Sequence, residues 1–147
     1  MEKNEMNRNL ELVLEWQTLF GAGGRHVVSE TPIRIDRTLA DIRVDFINEE
    51  LEEYLDANHD GDLVEVLDAL CDLTYFVNGM IVIHGLQDVF DEAFQIVHDS
   101  NMSKAGADGK PILREDGKIL KGPGYRTPTQ LLTELLDKRR TGANNGL

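Results

Sequence analysis

The sequence predicts an all-α helical bundle with a short C-terminal hairpin or extended arm, on three observations. Apolar residues recur at helical spacing in five separate segments. Gly21, Pro32, the ANHDG stretch at 57–61, Gly85 and Thr127-Pro128 punctuate those segments with turn and capping chemistry. Strand-like runs are confined to KPILREDGKIL at 110–120, where they flank the Asp116-Gly117 turn. At 147 residues the chain is expected to be one domain, 1–147. Its core covers about 7–100, a tail about 101–126 and a last helix about 128–140.

Each element has its own reason. Leu10, Val13, Leu14 and Leu19 predict a helix over 7–20 that ends near Gly21. The stretch GAGGRHVVSETP is a loop. A second helix is expected from Asp36 to Ala57, with Val44, Ile47, Leu51 and Leu55 as its core stripe. A third follows from Asp62 to Ile83 and closes on His84-Gly85, where glycine is free to take the left-handed conformation. A fourth spans about Gln87 to Asp99 and buries Val89, Phe90, Ala93, Phe94 and Val97. Thr127 as N-cap and Pro128 at the first helical position open the last, which runs through Leu131, Leu132, Leu135 and Leu136. Lys138, Arg139 and Arg140 suit its negative end, and TGANNGL is expected to fray.

Composition narrows the function classes. Net charge is −12, and residues 41–72 hold twelve acids against one base, Arg43. Residues 101–126 reverse the balance, with six bases against Asp108, Glu115 and Asp116. Such a field does not attract nucleic acid polymers, but metal ions at the acidic centre would admit a small polyanion. No apolar run is expected to cross a membrane, because Gly79 and His84-Gly85 interrupt the longest. The polar start MEKNEMNRN does not read as a signal peptide. One cysteine, Cys71, points to a reducing compartment, so the expected location is the cytoplasm, or the host cytoplasm for a phage-encoded chain.

Two acidic stripes carry the chemistry. At about 100° per residue, Glu49, Glu50 and Glu53 share roughly a third of the second helix's circumference, whereas Glu52 points away. An isolated group of this kind is usually a solvated acidic face. The third helix changes that judgement. It is apolar nearly all round except for Glu65, Asp68 and Asp72, so burial of the helix would desolvate these acids. With few bases to pair them, a hard divalent cation with oxygen ligands is the economical partner: magnesium, with manganese as substitute. Glu50, Glu53, Glu65 and Asp68 are the candidate ligands, with Asp72 as a further ligand or supporting partner. Glu49 is the candidate to orient or deprotonate an attacking water.

The pattern Glu49-Glu50-x-x-Glu53 followed by Glu65-x-x-Asp68 resembles the EExxE…ExxD signature of the all-α nucleoside triphosphate pyrophosphohydrolases, the MazG-like and phosphoribosyl-ATP pyrophosphatase-like proteins. Arg43 ahead of the first group and DALCDLTYFVNG after the second fit the same resemblance. So do SNMSK at 100–104 and DGKPILREDGKILKGPGY at 108–125, which resemble the tail of small phage and bacterial members. The gap of eleven residues between Glu53 and Glu65 is at the short edge of the family's range. The resemblance implies a helical bundle completed by oligomerisation, as homodimer or homotetramer, and magnesium-dependent release of pyrophosphate from a nucleoside triphosphate. It places Arg43, Asn101, Lys104, Lys118, Lys121 and Tyr125 near the nucleotide and its phosphates. Trp16 and Phe20 are expected in the core, with a place beside a base pocket as the functional alternative.

Other readings remain open at this point. Phosphoribosyl-ATP is a possible substrate, and a helical assembly protein could keep the fold without the reaction. Asp56, Asn58, Asp60, Gly61 and Leu63 fit positions 1, 3, 5, 6 and 8 of an EF-hand calcium loop. Position 12 is Leu67, however, and Asp68 falls one residue late, so an ordinary helical corner is preferred. His26, His59, His84 and His98 show no ligand spacing and are assigned to surface or core. GAGGR at 21–25 lacks the lysine and hydroxyl residue of a phosphate-binding loop.

Overall fold

The computed structural model describes residues 6–21 and 24–144. The first five residues, Ala22-Gly23 within the glycine loop, and Asn145–Leu147 of the expected frayed end lie outside the described residues. Five helices run in order: α1 Arg8–Phe20, α2 Arg37–Asp60, α3 Leu63–Ile83, α4 Phe90–Met102 and α5 Thr129–Asn144. The chain divides into two compact units, Met1–Asp88 and Val89–Leu147.

In the first unit α3 packs against both α2 and α1. Side-chain oxygens of Asn7, Asp36 and Asp62 accept backbone N–H groups in the first turns of α1, α2 and α3, which supplies partners the helix itself lacks. Helix α2 continues through Asp60, so only Gly61 and Asp62 turn the chain. Gly61 takes φ 73°, the left-handed region that glycine enters without penalty. A turn this short sets α2 and α3 antiparallel. It also removes the calcium loop, because Asp56, Asn58 and Asp60 sit on a continuous helix and cannot wrap an ion.

The loop before α2 caps the far end of α3. Ser29 N–H donates to Val82 O at 3.2 Å, Ser29 Oγ to Ile83 O at 2.7 Å, and Ile33 N–H to His84 O at 2.9 Å. The bonds to Ile83 O and His84 O satisfy carbonyls left free where the helix stops, and Val82 O accepts from Gly85 N–H as well. Below them Leu10, Val13, Val82 and Ile83 form the dry centre.

Burial departs from the expected stripes. Val44, Leu51 and Leu55 of α2 are exposed, as is Leu19 of α1, while Arg43 and Ala57 are buried. The inward side of α2 runs one residue earlier, through Arg43, Ile47, Glu50, Tyr54 and Ala57, which shifts the apolar stripe by about 100°. Nor is α3 buried all round: Leu63, Val64 and Leu67 lie open, as does Phe20 at the end of α1. Contrary to the sequence expectation, α3 is long and apolar enough to span a bilayer by length and composition, with 21 residues and a mean hydropathy of 1.6. Asp72, near the middle of such a span, would cost about 2.5–3.5 kcal/mol, and packing against α1 and α2 makes α3 the central helix of the unit.

In the second unit α4 begins at Phe90, after a turn over 87–89, and extends to Met102. Phe94 and Val97 on it are exposed, whereas Val89 is buried. Ser100 Oγ donates to Arg126 O at 2.7 Å, and Arg126 N–H donates to Ser103 Oγ at 2.9 Å, so the intervening arm closes back on α4. The expected hairpin is reduced to one antiparallel bridge, Leu113 with Ile119, and the described arm contains no strand. Helix α5 starts one residue later than expected. Pro128 supplies the carbonyl that Leu132 N–H bonds, so proline caps the helix from outside. Of its apolar residues Leu135 is buried and Leu131 exposed, and the helix persists through Thr141 to Asn144 where fraying was expected.

Gly79 in the middle of α3 is a packing requirement. A Cβ there would collide with Arg43 Nη2 and lie 2.7 Å from Gln17 Oε1. Alanine normally gains about 1 kcal/mol over glycine inside a helix. Gly79→Ala is instead expected to lose about 2 kcal/mol and lower the melting temperature by about 4–8 °C, read by thermal circular dichroism.

Candidate active site

The acids on α2 and α3 divide into those the fold gathers and those it does not. Glu50 is half-buried, and Glu53, Asp72, Glu49 and Asp68 are near enough to act on its charge. Glu65 does not act on it and stands exposed in the first turn of α3. Glu52 is exposed, as expected. The desolvated carboxylate is therefore on α2 and not on α3, because the N-terminal half of α3 is open to solvent and leaves Glu65 and Asp68 wet. Removal of Glu50 from water pushes its carboxyl above the usual range, and the four neighbouring acids push it further.

Glu50 Oε2 is buried and has no hydrogen-bond partner. The ion pairs Arg8–Glu11, Arg37–Asp41 and Arg114–Asp116 leave the acidic group untouched. An orphaned carboxylate oxygen among four other carboxylates suits a hard cation, which takes oxygen ligands. Among the described residues no three acidic, histidine or cysteine side chains are gathered closely enough to hold an ion by themselves. Magnesium keeps several water or phosphate ligands when bound to proteins, so the donor set still fits.

Glu50 and Asp72 also line a cavity of about 280 Å³ whose other walls are largely aromatic. Trp16 stands edge-on to His26 at 4.9 Å and to Tyr75 at 6.1 Å. His26 stacks on Phe46 at 12° between planes, and Phe46 leans on Phe76 at 5.2 Å. Arg43, only 1 % exposed, lies 5.8 Å and 5.5 Å from the centres of the Phe46 and Phe76 rings. Its Nη1 bonds His26 Nδ1 at 2.9 Å and its Nη2 donates to Phe76 O at 3.0 Å. The guanidinium, expected near the nucleotide and its phosphates, thus pairs with neutral groups. A second cavity, about 350 Å³, is walled by Leu12, Val13, Leu70 and Cys71 among others and contains no carboxylate.

Sequence reasoning missed two wall residues. Gln17, buried on α1, donates to His26 O at 3.1 Å and Val27 O at 3.2 Å and thereby fixes the loop that carries the histidine. Its signal was a polar residue in phase with Leu10 and Val13. His26, set aside as a core or surface histidine, belongs to the cavity. Trp16 is also in this wall.

The tail residues lie in the second unit. Lys104 Nζ donates to Asn101 Oδ1 at 2.7 Å, and Lys121 Nζ sits 4.5 Å from the Tyr125 ring centre. Lys118 is exposed, and among the described residues none of these three lysines forms an ion pair. Their charge is available to an anion.

The raised Glu50 carboxyl has a consequence for stability. The folded chain holds that proton more tightly than the unfolded chain, so metal-free stability falls as pH rises from the ordinary carboxyl range through the raised value. Glu50→Gln removes this loss. In chelator at pH 7 the variant is expected to be about 0.5–1 kcal/mol more stable than the parent, with the difference vanishing near pH 4. Melting curves with chelator and with magnesium at both pH values check this, and magnesium should stabilise the parent more than the variant.

The profile of the phosphoribosyl-ATP pyrophosphohydrolase family matches residues 25–101, a span that contains both acidic groups, His26, Arg43 and Asn101. Among solved structures, the chain resembles the 1.78 Å crystal structure of a candidate NTP pyrophosphohydrolase from Exiguobacterium sp. 255-15. Identity is 25 %, the TM-score is 0.53, and the match covers 95 % of this chain and 99 % of that one. No curated protein matches the chain. The family match spans more than half of the chain and includes the acids and the cavity histidine, so this protein belongs to the phosphoribosyl-ATP pyrophosphohydrolase family and is a pyrophosphohydrolase of the MazG-like type.

Proposed function

We propose that this chain hydrolyses nucleoside triphosphates to the monophosphate and pyrophosphate, with magnesium anchored at Glu50, its other ligands coming from water, phosphate and the acids Glu53, Asp68, Asp72 and Glu65. The observation that carries the reading is the buried, unpartnered Glu50 Oε2 among four carboxylates, in the wall of an aromatic cavity. Acid beside aromatic is the pairing a nucleotide needs, because rings stack on a base while a cation offsets the phosphates. Stacking on an aromatic side chain is worth about 1–3 kcal/mol per base.

Magnesium, when bound, offsets charge on the phosphoryl oxygens and makes water easier to deprotonate. Glu49, one residue from Glu50 and exposed, accepts the proton of the attacking water. The water oxygen bonds to phosphorus, the α–β anhydride bond breaks, and pyrophosphate leaves with the electron pair. Trp16, Phe46 and Tyr75 hold the base, while Arg43 keeps the His26 loop and Phe76 in register behind them. On the family resemblance alone, Lys104, Lys118 and Lys121, with Asn101 and Tyr125, are the candidates to supply positive charge and hydrogen bonds to phosphates.

A second copy of the chain fits the exposed apolar residues Val44, Leu51, Leu55, Leu63, Val64 and Leu67, so the working form is a homodimer or homotetramer. Phosphoribosyl-ATP is the second substrate reading, supported by the family profile.

The test is pyrophosphate release from a panel of nucleoside triphosphates and phosphoribosyl-ATP, with magnesium, calcium or chelator. Magnesium-dependent release from triphosphates is expected. Release from phosphoribosyl-ATP alone would shift the substrate assignment, and none from any would overturn both. Glu53 is exposed, so Glu53→Gln should keep the helical circular dichroism of the parent and lose at least about a hundredfold in turnover. Normal activity in that variant would remove it from the metal site.

A further inference from the structure

We infer that His26 is the base-reading residue of the cavity and that it selects nucleobases bearing a ring carbonyl oxygen over adenine. The inference deepens the nucleotide reading above and rests on it. Its starting point is a hydrogen bond with only one possible direction. Arg43 Nη1 lies 2.9 Å from His26 Nδ1, and a guanidinium has donors only. Nδ1 must therefore accept, which places the ring's single proton on Nε2. A second proton, on Nδ1, would set donor against donor beside a fixed positive charge. Burial, Arg43 and Arg25 all hold the imidazole pKa below its usual value, in agreement with the neutral ring.

The fold keeps that tautomer in place. Gln17 clamps the backbone of His26 and Val27, Phe46 stacks on the imidazole, and Trp16 closes on it edge-to-face. Neighbouring donors are already engaged: Gln17 Nε2 by those two carbonyls, and Arg43 Nη2 by Phe76 O. No described residue hydrogen-bonds His26 Nε2, so Nε2–H is the donor that this ring offers the cavity it lines. Arg43 Nε is without a partner too, but it is buried, so the His26 Nε2–H is the donor that a base meets. A carbonyl oxygen of uracil, cytosine, guanine or hypoxanthine satisfies such a donor. Adenine has no carbonyl, and its 6-amino group would bring a further donor to it.

The test uses Trp16, the chain's one tryptophan, as its own reporter. Fluorescence titrations with magnesium and α,β-imido triphosphates, which resist cleavage, compare deoxyuridine, deoxycytidine, deoxyinosine and deoxyadenosine analogues on the full chain. Hypoxanthine and adenine differ chiefly in the 6-oxo group, so this pair tests the idea without altering the protein. The carbonyl-bearing analogues are expected to bind about tenfold to a hundredfold tighter than the adenine one. His26→Phe, which keeps a ring and removes the donor, should bring them down to the adenine level. His26→Gln offers Arg43 an acceptor and the base an N–H, and should retain part of the preference even where the phenylalanine variant fails to fold. Adenine binding as tightly as hypoxanthine in the parent, or equal weakening of every analogue in His26→Phe, would overturn the inference. Pyrophosphate release from the cleavable counterparts is measured in parallel. Base-selective binding without release defeats the substrate reading and leaves the role of His26 standing; release without selectivity does the reverse. Binding of no analogue defeats both.

Discussion

A buried guanidinium organises the first unit. Arg43 reaches from α2 to the carbonyl of Phe76 on α3 and to His26 in the glycine-rich loop, with the Phe46 and Phe76 rings alongside. Hydrogen bonds to a charged group contribute about 1.5–3 kcal/mol each, and more is lost when one partner is removed from a buried pair. The room for this group exists because residue 79 lacks a side chain. Lysine could not replace it, since a single ammonium cannot bridge the loop and α3 with planar, divergent donors.

The same face of α2 carries a second charged group with the opposite arrangement. Glu50 follows Arg43 by seven residues, two helical turns or about 10 Å along the axis, so the two are aligned but too far apart to pair. Arg43 is satisfied by neutral partners, whereas Glu50 has acidic neighbours and an unpartnered oxygen. Both line one cavity with the aromatic rings. The cavity is thereby polarised. In the proposed reading its His26 side offers an N–H to a neutral base, and its Glu50–Asp72 side offers carboxylates to a cation and, through it, to phosphates.

The acid pattern was legible because spacing alone fixes which residues share a face: Glu49, Glu50 and Glu53 are together on α2, and Glu52 is away from them. The antiparallel pairing of α2 and α3 followed from the short connection. What covers each apolar stripe was not legible. Val44, Leu51 and Leu55 have helical spacing for burial, yet this chain turns Arg43, Glu50 and Ala57 inward instead. A hydrophobic pattern reports that a face is apolar and not which chain covers it. Gln17 and His26 escaped because their roles come from contacts 9 to 17 residues away in sequence, between an amide, a loop carbonyl, an imidazole and a guanidinium. No periodicity encodes such contacts. The hairpin reading was too strong for a similar reason: the Asp116-Gly117 turn formed, but the flanking runs meet at one bridge.

The most direct measurement is an anomalous-difference map from crystals of the full chain grown with manganese and an α,β-imido triphosphate. A manganese peak is expected at ligand distance from the Glu50 carboxylate, with the base against Trp16 and His26. Manganese bound elsewhere, with Glu50 Oε2 still buried and unpartnered beside a seated nucleotide, would contradict the assignment of this carboxylate as the cation's anchor.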